Sequence, residues 1–231
     1  MFSIFCILFL LKHVIKIVKL NKVQFIVAIK NIKNLVIYSR WSVFGVFLVW
    51  LQSQCYIYVE AMYGDYASVA KANISRLYVA PVIMLMPAIS QVAILRAINN
   101  NKLSERSKIL VKYAKIQLLF LLIYSLCLYI FKNTIDKIIL QNQIEDINIL
   151  IITWIGYVFF LIIRDAASSV LLTVGDYKYI TIANSVSFIF CLFSYFLLKW
   201  LGLLTLFSLV IGEVFLAIFV WTRIFYVKKN Q

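Results

Sequence analysis

Six long apolar stretches alternate with loops whose positive charge is shared out unequally, and no other feature constrains the fold of this chain as much. The stretches fall at about 42–63, 74–95, 113–131, 147–174, 179–199 and 203–226. Each is close to the ~20 residues that a helix needs to cross a ~30 Å hydrocarbon layer. Lys12, Lys16, Lys19, Lys22, Lys30, Lys33 and Arg40 precede the first stretch, and Arg96, Lys102, Arg106, Lys108, Lys112 and Lys115 surround the loop after the second. Lys178 lies between the fourth and fifth, and Arg223, Lys228 and Lys229 follow the sixth. If the stretches alternate in direction, all of these share one side, whereas the other side holds only Lys71, Arg76, Lys132, Lys137 and Lys199. Basic loops are retained in the cytoplasm, so both termini are expected there.

The spans read as helices. A segment in hydrocarbon must match its own backbone hydrogen bonds, and a lipid-facing barrel strand would alternate apolar and polar positions, which these runs do not. The chain is 64% hydrophobic and 14% charged, with a mean hydropathy of +0.96. A soluble domain is about half apolar and a quarter charged, so a bilayer must take up the excess. The net charge of +14 lies in loops beside apolar spans. It suits topology and anionic headgroups, and nucleic acid is not an expected partner. Cys6, Cys55, Cys127 and Cys191 all sit in apolar runs without metal-ligand spacing, and His13 is the one histidine. No metal or other cofactor is expected.

The run 1–11 is apolar but too short to cross a membrane, and it lacks the charged start and small-residue cleavage site of a signal peptide. It reads as the end of a helix whose beginning is absent. The expected organisation is a truncated helix end plus basic cytoplasmic linker over 1–41, a six-helix bundle over 42–226 and a cytoplasmic tail over 227–231.

Polar groups inside the apolar stretches are the candidates for function, because each is expensive to keep there. The fourth span carries Arg164 and Asp165 side by side, and Tyr157, Arg164, Asp165, Ser168 and Ser169 fall within one arc of about 140° at helical pitch. Two readings stand: a buried ion pair that fixes packing, or an arginine that contacts an anion. In the first span, Ser42, Gly45, Gln52, Ser53, Tyr56, Glu60 and Tyr63 share a stripe about 100° wide, suited either to sugar hydroxyls or to a neighbouring helix. The second span holds Pro81 and Pro87, each expected to kink it. The sixth has Glu213 near its middle, protonated, bound to a cation, or paired with Arg164. Ser208 and Gly212 on that span form a small-xxx-small pair for close helix approach. Tyrosines and tryptophans near span ends suit interfacial belts. Asn73-Ile74-Ser75 matches a short glycosylation sequon on the predicted outer side.

The segment from Tyr38 through Gln91, YSRWSVFGVFLVWLQSQCYIYV followed by MYGDYASVAKANISRL and APVIMLMPAISQ, resembles the second half of lipid-linked oligosaccharide flippases. These belong to the multidrug/oligosaccharidyl-lipid/polysaccharide exporter superfamily. Thr173-Val174-Gly175-Asp176-Tyr177-Lys178, Ile182-Ala183-Asn184 and Leu201-Gly202 are similar to the family's connections among its last three helices. The resemblance covers about 38–226. It implies an all-α membrane protein in which two bundles of about six helices flank a central cavity, this chain supplying the second bundle.

The same resemblance implies a transporter rather than an enzyme. It would sit in the bacterial inner membrane and flip undecaprenyl-pyrophosphate-linked oligosaccharide during synthesis of a surface polysaccharide such as O-antigen; the chain is then either a fragment of a disrupted gene or the partner of a separately encoded N-terminal half. Family members hold the pyrophosphate with cavity cations, a role that passes here to Arg164, with Asp165, Gln52, Ser53, Tyr56 and Glu213 as further cavity residues. Two other readings stand beside it. One is a membrane-embedded glycosyltransferase or polymerase, for which Asp65, Asp136, Glu145 and Asp146 are the outer-loop acids. The other is a multidrug antiporter of the same superfamily.

Overall fold

A computed structural model describes residues 22–63, 65–100, 102–135 and 147–229. The apolar run 1–11, the cysteine at 6, and Asp136, Glu145 and Asp146 lie outside the described residues. The described elements are all helices: α1 (Lys22–Met62), α2 (Tyr66–Leu77), α3 (Ala80–Ile98), α4 (Leu103–Ile135), α5 (Ile147–Val174), α6 (Tyr177–Trp200) and α7 (Phe207–Lys229). Six of them are long and apolar enough to cross a membrane; α2 is too short. The protein is thus an all-α, six-span membrane bundle. Met1–Val43 and Phe44–Gln231 form two compact units, and the bundle belongs to the second.

The second span departs from its predicted bounds of 74–95, because the chain breaks at Tyr78 and Val79 between two helices. Proline has no N–H, and its ring collides with the carbonyl four residues back, so a helix cannot run through Pro81 from Leu77. Pro81 instead occupies the first turn of α3, where a missing N–H costs nothing. Only Pro87 lies inside a helix. The expectation of two kinks is corrected to one start and one interior proline. The third helix is longer than the predicted 113–131. It begins at Leu103, with Lys108, Lys112 and Lys115 exposed along it. Long lysine stems let a helix begin before the hydrocarbon does.

Two tight turns connect the last three helices, and both use glycine in the left-handed region: Gly175 at φ 81° and Gly202 at φ 66°. After α5, Asp176 N–H bonds Leu171 O and Gly175 N–H bonds Leu172 O; after α6, Leu203 N–H bonds Leu198 O and Gly202 N–H bonds Lys199 O. This double bond pattern closes a helix on a residue that only glycine adopts without strain.

Contacts along the helices fix their directions. Gly45, Gln52, Cys55 and Glu60 of α1 meet Asn184, Ser187, Cys191 and Lys199 of α6 in ascending order on both. The two helices therefore run parallel. Tyr124 reaches Tyr78 while Gln117 reaches Met86, so α4 runs antiparallel to α3. At one end of the bundle Arg106 bonds the carbonyls of Asn100 and Thr173, and Arg223 pairs with Asp176. The cation-rich loop after α3 and the turn after α5 thus gather at one end, with Arg223 beside them, and Lys199, Glu60 and α2 lie at the other.

Candidate functional site

Helices α1, α5, α6 and α7 place most of the buried polar side chains, and these fall into two groups. The first is a seam in the bundle interior. Arg164 of α5 stands 3.2 Å from Glu213 of α7, Nε to Oε2, and both are buried. The two atoms meet as charges rather than as an aligned hydrogen bond. Next to Glu213, Gly212 leaves room for its neighbours: a Cβ there would fall 2.8 Å from Gln52 Nε2 and 3.0 Å from Cys191 Cβ. Ser187 of α6 uses this space, with its hydroxyl 2.7 Å from Gly212 O and 3.0 Å from Gln52 Oε1. Higher on the same seam, Gly45 takes a bond from Asn184 Nδ2, and a Cβ at Gly45 would meet Thr181 Oγ1 at 3.0 Å. Small residues let the backbones of α1, α6 and α7 approach until short polar side chains reach across.

Asp165 points to a different neighbour. Ser90 of α3 donates to Asp165 Oδ2 at 2.5 Å, and Gln117 of α4 donates to Ser90 Oγ and to Met86 O, each at 3.1 Å. Charge-assisted bonds from hydroxyl to carboxylate are short. Adjacent residues of α5 thus carry opposite charge to opposite sides of the bundle, Arg164 towards α7 and Asp165 towards α3 and α4.

The second group surrounds a cavity of about 390 Å3 at the end of the bundle where α2 lies. Tyr56, Glu60, Ser68, Lys71 and Thr205 supply its polar lining, and Ile149, Leu150, Leu204 and Leu206 supply apolar wall. Glu60 is 5% exposed, so its charge is held by the protein: Lys199 Nζ lies 3.0 Å from Oε2 and Thr205 donates to Oε1 at 2.6 Å. The Lys199 ammonium also sits 3.9 Å from the centre of the Tyr63 ring. Tyr56 donates to Asn73 Oδ1 at 3.3 Å and meets the edge of Trp154. Trp154 in turn donates to Ala72 O and Ser75 Oγ, fastening α2 over the cavity. Asp65 opens α2 by accepting from Ser68 N–H at 3.1 Å, and these bonds hold its carboxyl below the usual carboxylate range.

Of the residues singled out in the sequence, Arg164 and Glu213 come together, within pairing distance. Gln52 lies on the same seam. Asp165 accepts from Ser90 of α3, which accepts in turn from Gln117 of α4; Tyr56 lines the outer cavity, and Ser53 returns its hydroxyl to Trp50 O of its own helix. The Arg164 pair lies fourteen residues along α5 from Leu150 of the cavity wall, roughly 20 Å at helical rise. The sequon at Asn73 is packed into α2, with Ser75 fully buried. Sequence reasoning missed α6 as a polar helix. Thr181, Asn184, Ser187, Cys191 and Ser194 recur every three or four residues, all buried. That period was the available signal, hidden because none of the five is charged. It also counted Lys199 only as a loop cation.

Among the described residues, no group of three or more His, Cys, Asp or Glu is placed to hold a metal ion. No protein-family model, curated protein or solved structure matches the chain.

Proposed function

We propose that this chain is one lobe of a flippase that moves undecaprenyl-pyrophosphate-linked oligosaccharide across the bacterial inner membrane for surface polysaccharide synthesis. The observation that carries the reading is a buried charge pair within apolar spanning helices and a polar-walled cavity at the end of the bundle, joined to the resemblance over Tyr38–Gln91. A phenol, a carboxylate, hydroxyls and an ammonium around 390 Å3 are the groups that bond sugar hydroxyls and an anionic headgroup. In this reading the cavity takes the sugar, and Arg164 takes the diphosphate when the anion displaces Glu213. The lipid tail stays in the bilayer, and this lobe rocks against a second, separately encoded bundle. On the same reading both termini are cytoplasmic, an expectation supported by the excess of lysine and arginine in the loops assigned to that side. No covalent step is needed.

The test is surface-polysaccharide recovery in a strain lacking its flippase, with this chain supplied together with a matched first half. Recovery is expected, and Lys71→Gln, an exposed cavity residue, is expected to reduce it at unchanged membrane level. No recovery from a chain present in the membrane beside a matched half would sink the reading.

A further inference from the structure

Two cysteines far apart in sequence meet inside the bundle. Cys55 of α1 and Cys191 of α6 place their sulfurs 3.6 Å apart, and they are 4% and 0% exposed. The approach is held from both directions along the same parallel seam: Gln52 meets Ser187 one turn to one side, and Glu60 meets Lys199 to the other. Gly212 lets α7 come close to Cys191 from another side: a Cβ there would fall 3.0 Å from Cys191 Cβ. Cys127, in contrast, is exposed on α4.

We infer that Cys55 and Cys191 are a redox modification site, a dithiol that closes to a disulfide and ties α1 to α6. Burial decides the form of the product. Two thiolates, or a thiolate pair around a soft cation, would leave charge in hydrocarbon, whereas two thiols and a disulfide are both neutral. The same burial selects the oxidant: a neutral, lipid-permeant two-electron acceptor of the diazene class. One thiol adds across the N=N bond, forming S–N and passing its proton to the other nitrogen. The second sulfur then attacks the first; S–S forms, S–N breaks, and the departing nitrogen takes the second proton. Two thiols have been oxidised and one diazene reduced to a hydrazine. The inference stands on the seam geometry and is independent of the transport reading.

The probe is diamide, applied to membranes carrying the full chain with Cys6→Ser and Cys127→Ser. Remaining thiols are then counted in SDS by the gel shift of a maleimide–polyethylene glycol. Untreated chains are expected to show two shifts. Diamide-treated chains should show none, run as monomers, and regain both after dithiothreitol. Adding Cys55→Ser or Cys191→Ser should leave one shift that diamide does not remove. The wild-type chain, in which no position is substituted, should fall from four shifts to two. Persistence of both thiols in membranes, when the same diamide consumes them in SDS, overturns the inference. So does loss of shifts through dimers, or loss of the single thiol in either one-cysteine variant.

Discussion

The helices on the two sides of α5 do different work. Within the most apolar stretch of each span, 44% of residues are buried in α5 and α7 and 39% in α6, against 22% in α3 and α4. On the α6–α7 side, glycines and short polar side chains close the space between backbones, and every contact depends on a particular neighbour. On the α3–α4 side, Met84, Leu95, Leu119 and Leu122 face outward, and two polar links, Gln117 through Ser90 to Asp165 and Arg106 to Thr173 O, tie the pair to α5. Lipid is as apolar as leucine, so in a membrane it is the polar and small residues that specify which helices associate. The contrast teaches that a count of apolar residues says little about where this bundle is rigid.

The largest expected effect comes from separating the buried pair. Glu213→Ala leaves Arg164 charged and unpartnered, and should cost about 3–5 kcal/mol. The double change Arg164→Met with Glu213→Leu should recover most of that loss. Unfolding in SDS titrations of the detergent-solubilised chain measures both, and equal costs for the single and double variants would break the comparison. Next is Gly212→Val, whose Cβ meets Gln52 and Cys191 and should cost about 1–3 kcal/mol by overpacking in the same titration. Removing the Trp154 donor with Trp154→Phe should release α2 at about 1 kcal/mol, seen as faster proteolysis of residues 66–77.

The smallest expected effects lie outside the seam. Leu122→Ala on the exposed face of α4 should change stability by no more than about 0.5 kcal/mol. A larger loss would mean that this face is not simply lipid-exposed. Asp65→Ala removes a helix cap and should loosen only α2, by roughly 0.5–2 kcal/mol locally. Its native carboxyl is held below its ordinary value by the Ser68 bonds. The capping contribution is therefore complete above the ordinary carboxylate range and fades as pH falls through the lowered native value. Hydrogen exchange at the Ser68 amide across acid pH reads this directly; protection that rose as pH fell would contradict it.

The spans were legible because membrane helices are long and apolar. The break before α3 was not, since Pro81 was read as a kink when its ring and missing N–H suit a first turn. Arg164 and Glu213 were visible as charges in apolar runs, yet nothing in one dimension shows which faces the other. Gln52 stood out as an amide, but its partner Ser187 did not, because a serine in a membrane helix bonds its own backbone as readily as a neighbour. The cavity lining drew on α1, α2, α5 and the turn before α7, segments up to about 150 residues apart, and such gatherings follow from topology rather than local pattern.

The parallel pairing of α1 with α6 has a consequence for biosynthesis. Glu60 and Lys199 lie 139 residues apart, so at about 5–20 residues per second the ribosome takes roughly 7–28 s to supply the ammonium after the carboxylate has emerged. Through that interval the first span resides in or beside the insertion machinery with its acid uncompensated, and it cannot reach its final seat until the fifth span arrives. Assembly of this bundle is therefore completed from its last third backwards, and its earliest helix is among the last to settle.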